Sequence, residues 1–168
     1  PVMEQAIDRL PLLETTGIQM FFNGPESFTP DDRYLLGEAP EVKNFYVAAG
    51  FNSIGIQSAG GAGMALAQWM DAGRPQMDIW DVDIRRIMPF QANRHYLSAR
   101  VTDPLGLLYA DHYPYRQFAS ARNIRRTPLH HKLAEHHACI GEVAGWERAN
   151  WFLPADEANR GKTPEYNY

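Results

Sequence analysis

The stretch Gly50 to Gly63, GFNSIGIQSAGGAG, combines glycines and short polar residues in a way that suits the binding of an electron-rich oxygen. The apolar run Phe45-Tyr46-Val47-Ala48-Ala49 precedes it and predicts a buried strand; Met64 to Met70 follows and predicts a helix. A strand that turns through glycine into a helix gathers bare backbone N–H groups and a positive helix end at one point. A phosphate, a carboxylate or a flavin oxygen would be stabilised there. Gly50 and Gly55 allow the turn and the close approach of a ligand. Gly60, Gly63 and Ala67 fall on one helical face and leave it nearly bare, so another element is expected to pack on it at short range. Tight packing without any ligand explains the same glycines, and both readings stand at this point.

The segment is not a dinucleotide fingerprint. Leu66 stands where a third small residue belongs, and the glycines lie inside the expected helix instead of opening it. Other candidate chemistry is weaker. His130, His131, His136 and His137 share one expected helix, but their spacing does not bring them to one metal, and no H-E-x-x-H is present. No metal site and no catalytic residue is assigned. Cys139 reads as a buried core residue of an apolar strand. Arg122, Arg125 and Arg126 with Tyr113, Tyr115 and Phe118 resemble a nucleic-acid patch, but ion pairs with Asp78, Asp81 and Asp83, or with a further domain, are the better expectation. Trp146 and Trp151 are expected to form a packing knot, with Glu147 and Arg148 as a local charge pair. The Thr29-Pro30-Asp31 loop and the Gly50–Ile56 turn both lie beside strand ends, where together they would line one edge of a ligand.

The elements that must position these residues follow from pattern. Val2 to Leu13 predicts a short helix disturbed by Pro11, and Ile18 to Phe22 a short strand. Leu35-Leu36-Gly37 reads as irregular, and the helix after the glycine turn ends near Gly73-Arg74-Pro75. A charged connector follows, pinned by Ile79, Trp80 and Ile84. A helix is expected over Arg94–Tyr109 with a break at Pro104, and another over Pro128–His137 with Thr127 as its N-cap. Ala138–Val143 and Trp151–Leu153 predict short strands. The chain therefore divides near residues 73–78 into two pieces, 1–73 and 74–168, of overall α/β (α+β) class.

The bulk properties exclude several classes. The 168 residues are 45% hydrophobic and 12% aromatic, as in a packed globular protein. A net charge of -4 gives no general attraction to nucleic acid or an anionic membrane, and no apolar run is long enough to span a bilayer. One cysteine precludes an internal disulfide. The chain starts at Pro1 and its last residues, Pro164 to Tyr168, suggest no terminal element, so a piece of a larger protein is expected.

Six motifs occur in an order that resembles the sarcosine and dimethylglycine dehydrogenase family: NGPESFTPD (Asn23–Asp31), GEAPE (Gly37–Glu41), GFNSIG (Gly50–Gly55), DIRR (Asp83–Arg86), RNIRRTPLH (Arg122–His130) and GWERANWF (Gly145–Phe152). The resemblance implies that 1–73 is the final segment of an FAD-dependent amine oxidase fold. It implies that 74–168 is a central domain leading to a folate-binding, aminomethyltransferase-like domain. The cofactors implied are FAD and tetrahydrofolate, and the partners are a small N-methylated amine and the remaining domains of the same protein. Asn52, Ser53, Ile54, Gly55 and Ile56 would contact the pyrimidine edge of the flavin, with Thr29 and Pro30 towards the substrate. The helix dipole would favour negative charge there by several tenths of a kcal/mol. The reaction implied is oxidation of the amine to an imine, with folate capturing the one-carbon unit. Such a protein would be cytoplasmic in a bacterium and in the mitochondrial matrix of a eukaryote. FTPDDRYLLGE (Phe28–Glu38) and Arg100–Arg122 also resemble a non-catalytic relative, the regulatory subunit of pyruvate dehydrogenase phosphatase, and an interdomain module without its own ligand is a third reading.

Overall fold

A computed structural model describes residues 2–112 and 116–164, with the side chain of residue 158 outside the description. The expected aromatic contributors Tyr113 and Tyr115, together with Pro1 and Glu165 to Tyr168, lie outside the described residues. The chain opens with α1 (Val2–Arg9), and Pro11 ends it by starting a 3-10 turn over Pro11–Glu14. The expected strand at Ile18–Phe22 is absent: these residues are irregular, and Ile18, Met20, Phe21 and Phe22 are exposed. Their β propensity finds no partner strand among the described residues, and a strand alone leaves its backbone groups unpaired.

Leu35–Gly37, read as irregular, instead belongs to β1 (Leu35–Glu38), which pairs antiparallel with β2 (Tyr46–Ala49). Leu36 faces Ala48 across this ladder and is fully buried, which supplies the apolar face that its flanking glycine had concealed. β2 is half-buried at Tyr46 and Val47 and exposed at Ala48 and Ala49, so the expected buried strand is exposed along half its length. Among the described residues the sheet has these two strands.

The long helix α2 (Gly55–Ala72) packs on this sheet and ends at Gly73, whose φ of 69° is the left-handed C-cap that glycine favours. Leu36, Ala62 and Ala65 form the core, with Phe51, Leu66, Ile79 and Val82 against them. Gly37 is required here: its φ is 122°, and a Cβ would stand 2.3 Å from the Trp69 ring. Gly60, Gly61 and Gly63 face open space, so the small-residue side of α2 is bare and nothing packs on it among the described residues.

The second piece attaches by its connector. Leu36 N–H donates to Val82 O at 2.8 Å, and Leu36 makes a parallel bridge with Asp83. The expected long helix appears as α3 (Arg94–Arg100) and α4 (Thr102–Tyr109), broken at Val101. Pro104 causes the break from within the first turn of α4, because it has no N–H to offer the carbonyl four residues earlier. Asn93 caps α3 by accepting from the N–H groups of His95 and Tyr96. α5 (His130–Glu135) is shorter than expected and its N-cap is Leu129, without a side-chain cap bond. Thr127 serves by its carbonyl, which accepts the His130 N–H at 3.0 Å.

A three-stranded sheet closes the chain, with β3 (Arg125–Arg126) parallel and β4 (Ala138–Val143) antiparallel to the middle strand β5 (Trp146–Phe152). β5 is longer than expected and starts at Trp146, because Ala144 and Gly145 both take positive φ and make a two-residue hairpin turn. Cys139 is buried in β4, as expected. No described helix is long and apolar enough to cross a membrane.

Candidate functional site

The turn between β2 and α2 is set by three demands on the backbone. Gly50, Asn52 and Ser53 all have positive φ, at 66°, 48° and 64°. Asparagine tolerates this region better than most residues, and its short amide can bond nearby groups. Asn52 does so while 1% exposed: its Oδ1 accepts the Thr29 N–H at 2.7 Å, and its Nδ2 donates to Thr29 Oγ1 at 3.2 Å. Its own N–H donates to Ser27 O at 3.1 Å. A Cβ on Gly50 would meet the Thr29 methyl at 2.7 Å, so the loop lies hard against the turn. The structure thus joins Thr29 to the Gly50–Ile56 turn.

The five turn residues differ in what they expose. The N–H groups of Asn52 and Ile54 are both spent, the former on Ser27 O outside the turn and the latter on Phe51 O at 2.9 Å. Ile54 is the N-cap of α2 and supplies no side-chain cap. Gly55 and Ile56 occupy the first helical turn, whose N–H groups have no acceptor within the helix. Ser53 and Ile56 are exposed, and Ser58 N–H is the first to reach back, to Ile54 O at 3.1 Å. An uncapped helix N-terminus therefore opens outward beside a rigidly held turn, an arrangement that can stabilise an electron-rich oxygen.

Thr29 also leads in the other direction. Its hydroxyl donates to Arg33 O at 2.9 Å and accepts the Arg33 N–H at 3.0 Å, closing the loop on itself. Asp31 takes two bonds from Arg86, at 2.7 and 3.0 Å, and Asp32 takes Arg116 at 2.6 Å. One loop of six residues, 28–33, thereby ties the turn to the second piece. Burial pushes the Asp32 carboxyl above its ordinary range, against the pull of Arg116. Pro30 and Asp31 line a cleft of about 670 Å³ that also receives Trp80, Tyr96, Arg100 and Phe118. Nothing in the sequence indicated which of the many arginines would reach Asp31 and Asp32.

The remaining candidates separate from this junction. Arg122 is forked onto Glu147 at 2.9 and 2.6 Å, Arg125 lies 4.3 Å over the Trp146 ring, and Arg126 bonds Asn123. The expected pairing with Asp78, Asp81 and Asp83 is replaced, because Asp83 and Asp81 are held by Arg85 and Arg33. Glu147 likewise pairs with Arg122 and not with Arg148, which lies on the opposite side of the strand. Burial alone would raise Glu147, but the Arg122 fork and the Asn123 N–H outweigh it and hold the carboxyl below its ordinary range. Among the described residues no group of three or more His, Cys, Asp or Glu side chains is placed to hold a metal.

Comparison with known proteins identifies the surroundings of the turn. Residues 1–69 match the family model of FAD dependent oxidoreductases, and residues 72–127 match that of the FAD dependent oxidoreductase central domain. The chain belongs to the FAD-dependent oxidoreductases. It holds the end of the FAD domain followed by central-domain sequence, as mixed helices and small sheets. It is 48% identical over 168 residues to 4-methylaminobutanoate oxidase (formaldehyde-forming) of Paenarthrobacter nicotinovorans, covering 100% of this chain and 20% of that protein. Human mitochondrial sarcosine dehydrogenase is 41% identical over 169 residues, 99% of this chain and 18% of the relative. The mouse mitochondrial pyruvate dehydrogenase phosphatase regulatory subunit is 37% identical over 157 residues, 94% and 18%. The chain thus spans about a fifth of the length of the curated relatives it matches.

Proposed function

We propose that this chain is part of a flavoenzyme that oxidises a small N-methylated amine, and that the Gly50–Ile56 turn meets the pyrimidine edge of its FAD. The observation that carries the reading is the uncapped N-terminus of α2, held beside a turn fixed by Asn52 and Thr29. Its donors fit an electron-rich carbonyl, and Gly55 suits the tight turn, since a Cβ there would come 3.3 Å from Phe51 Cβ. FAD, when bound, supplies the hydride acceptor. The chain's own contribution is orientation and electrostatics. Ser53, Gly55 and Ile56 present backbone donors and the positive helix end. Asn52 and Ile54 set the shape of the turn from inside, and Thr29 and Pro30 lead from it towards the substrate side.

The substrate class follows the relatives whose names specify methylated amines, with sarcosine, dimethylglycine and 4-methylaminobutanoate as candidates. In this reading residues 1–73 complete the FAD domain, 74–168 form the central domain, and a folate-binding domain elsewhere in the protein captures the one-carbon unit. The compartment is the bacterial cytoplasm or the mitochondrial matrix, according to source. The similarity to a phosphatase regulatory subunit supports a second reading, in which the same architecture serves regulation without catalysis.

The test uses the full-length protein. A flavin absorption band that one of the three amines bleaches is the expected result. No bound flavin removes the reading, and bound flavin that none of the amines bleaches moves it to the regulatory alternative. Gly55→Val in the same protein should lose flavin or lower its potential; an unchanged spectrum and potential would remove the turn from the flavin edge.

A further inference from the structure

Arg100 ends α3 with 1% exposure, and it is the buried cation whose donors are least used. Its Nη2 donates to Glu142 Oε2 at 3.0 Å, while Nε and Nη1 have no hydrogen-bond partner. The other Glu142 oxygen, Oε1, accepts the Gly145 N–H. Arg86 on Asp31 and Arg122 on Glu147 are each forked through two bonds. Native folds seldom leave buried donors idle, least of all on a charged group. The Phe118 ring lies 4.1 Å from the guanidinium and the Tyr96 ring 5.5 Å, so aromatic faces support the cation while two of its in-plane donors are buried and unbonded.

Arg100 borders the cleft of about 670 Å³, and the charges around that cleft do not cancel. Asp31, Asp32, Asp81 and Glu142 are engaged by Arg86, Arg116, Arg33 and Arg100. Arg148 also lines the cleft, is exposed, and has no ion-pair partner among the described residues. One cation is left over, and Trp80, Met88 and Phe118 offer apolar wall beside it.

We propose that this cleft binds a small, singly charged carboxylate with an apolar or flat body. Arg148 meets the carboxylate at the mouth, and the unpaired donors of Arg100 lie in the wall behind it. The charge balance selects the anion. One surplus guanidinium neutralises one carboxylate, whereas a phosphate carrying about two charges would leave unpaired negative charge beside Asp31 and Asp81. The guanidinium plane matches the carboxylate plane. No residue of the Gly50–Ile56 turn lines the cleft, and the proposal does not rest on the flavin reading.

Calorimetric titration of the full-length protein with butanoate, butanamide and inorganic phosphate tests this. Butanoate is expected to bind the wild type. Butanamide should bind roughly tenfold more weakly or worse, and Arg148→Gln should weaken butanoate by a similar factor. Arg100→Lys keeps the charge but loses the planar donors, and should weaken butanoate as well. Should that variant fail to fold, Arg148→Gln, at the exposed mouth, carries the test alone. Equal butanoate binding by Arg148→Gln and wild type overturns the proposal, as does equal binding of butanoate and butanamide. Tighter binding of phosphate, or no butanoate heat at all, overturns it too. The readout uses no flavin signal, so loss of the flavin reading leaves it intact.

Discussion

The two halves of the molecule solve the problem of placing polar groups in different ways. Around the Gly50–Ile56 turn the work is done by backbone: positive φ at Gly50, Asn52 and Ser53, a glycine against Trp69, and one asparagine side chain that locks the loop. Around the closing sheet it is done by ionised side chains, with Arg122 forked onto Glu147 and Arg100 joined to Glu142 through one bond. Backbone placement is rigid and tolerates little added volume. Charge placement tolerates volume but depends on both partners staying ionised. The comparison teaches that the same loss of a single group should be felt through shape in one half and through pH in the other.

The largest effect is expected from breaking the charged half. Glu147 is 2% exposed, and it accepts two bonds from Arg122 and one from the Asn123 N–H. Glu147→Ala removes the carboxylate that neutralises the arginine and should cost about 3–5 kcal/mol, read by denaturant unfolding of the full-length protein. A loss below about 1 kcal/mol would mean that the pair behaves as a surface pair. Next comes the backbone half. Gly37→Ala puts a Cβ into the Trp69 ring at a φ that side chains avoid, and should cost about 3 kcal/mol from overpacking and strain together. If alanine is tolerated there, shape is not what holds α2 on its sheet.

Acidity should act with opposite sign on two buried carboxylates of the ion-pair network. Glu147 is held below its ordinary 4.5, so the fold binds its proton more weakly than the unfolded chain does. Its stabilisation is complete above that value and is lost as pH falls through the folded pKa. Asp32 is raised above its ordinary 3.8, so its contribution is present below that value and is lost as pH rises through the folded pKa. Stability measured against pH should therefore show wild type minus Glu147→Gln growing with pH, and wild type minus Asp32→Asn shrinking. Two slopes of the same sign would contradict that opposition.

Legibility followed the same line. Features encoded locally were readable: the disturbance of the first helix at Pro11, the glycine turn, the end of α2 near Gly73, and the burial of Cys139. β1 was missed because Gly37 interrupts its apolar run, although that glycine is what lets Trp69 approach. Ile18–Phe22 carried strand propensity that no neighbouring strand satisfies. The association of Thr29 with the turn was anticipated from strand ends, but the bonds through Asn52 were not, since an asparagine two residues after a glycine also suits an ordinary turn. The arginine pairings were unreadable. Arg86 reaches Asp31 across 55 positions and Arg116 reaches Asp32 across 84, and nothing in an arginine's own neighbourhood specifies such a partner.

The smallest expected effect is also the sharpest on the backbone half. Gly61 lies inside α2, its φ is ordinary, and a Cβ there would meet nothing within 4 Å. Alanine at such a position reduces the freedom of the unfolded chain and improves helix propensity, so Gly61→Ala should stabilise by about 0.5–1 kcal/mol. The substitution reports on the bare face of α2 as well as on propensity. If the full-length protein is stabilised, that face is free and its glycines are not there for packing. If alanine instead destabilises it, another element lies on the helix within contact distance, and close approach is the reason for the glycines. Shape would then govern both faces of α2, and the contrast with the charged half would be stronger still.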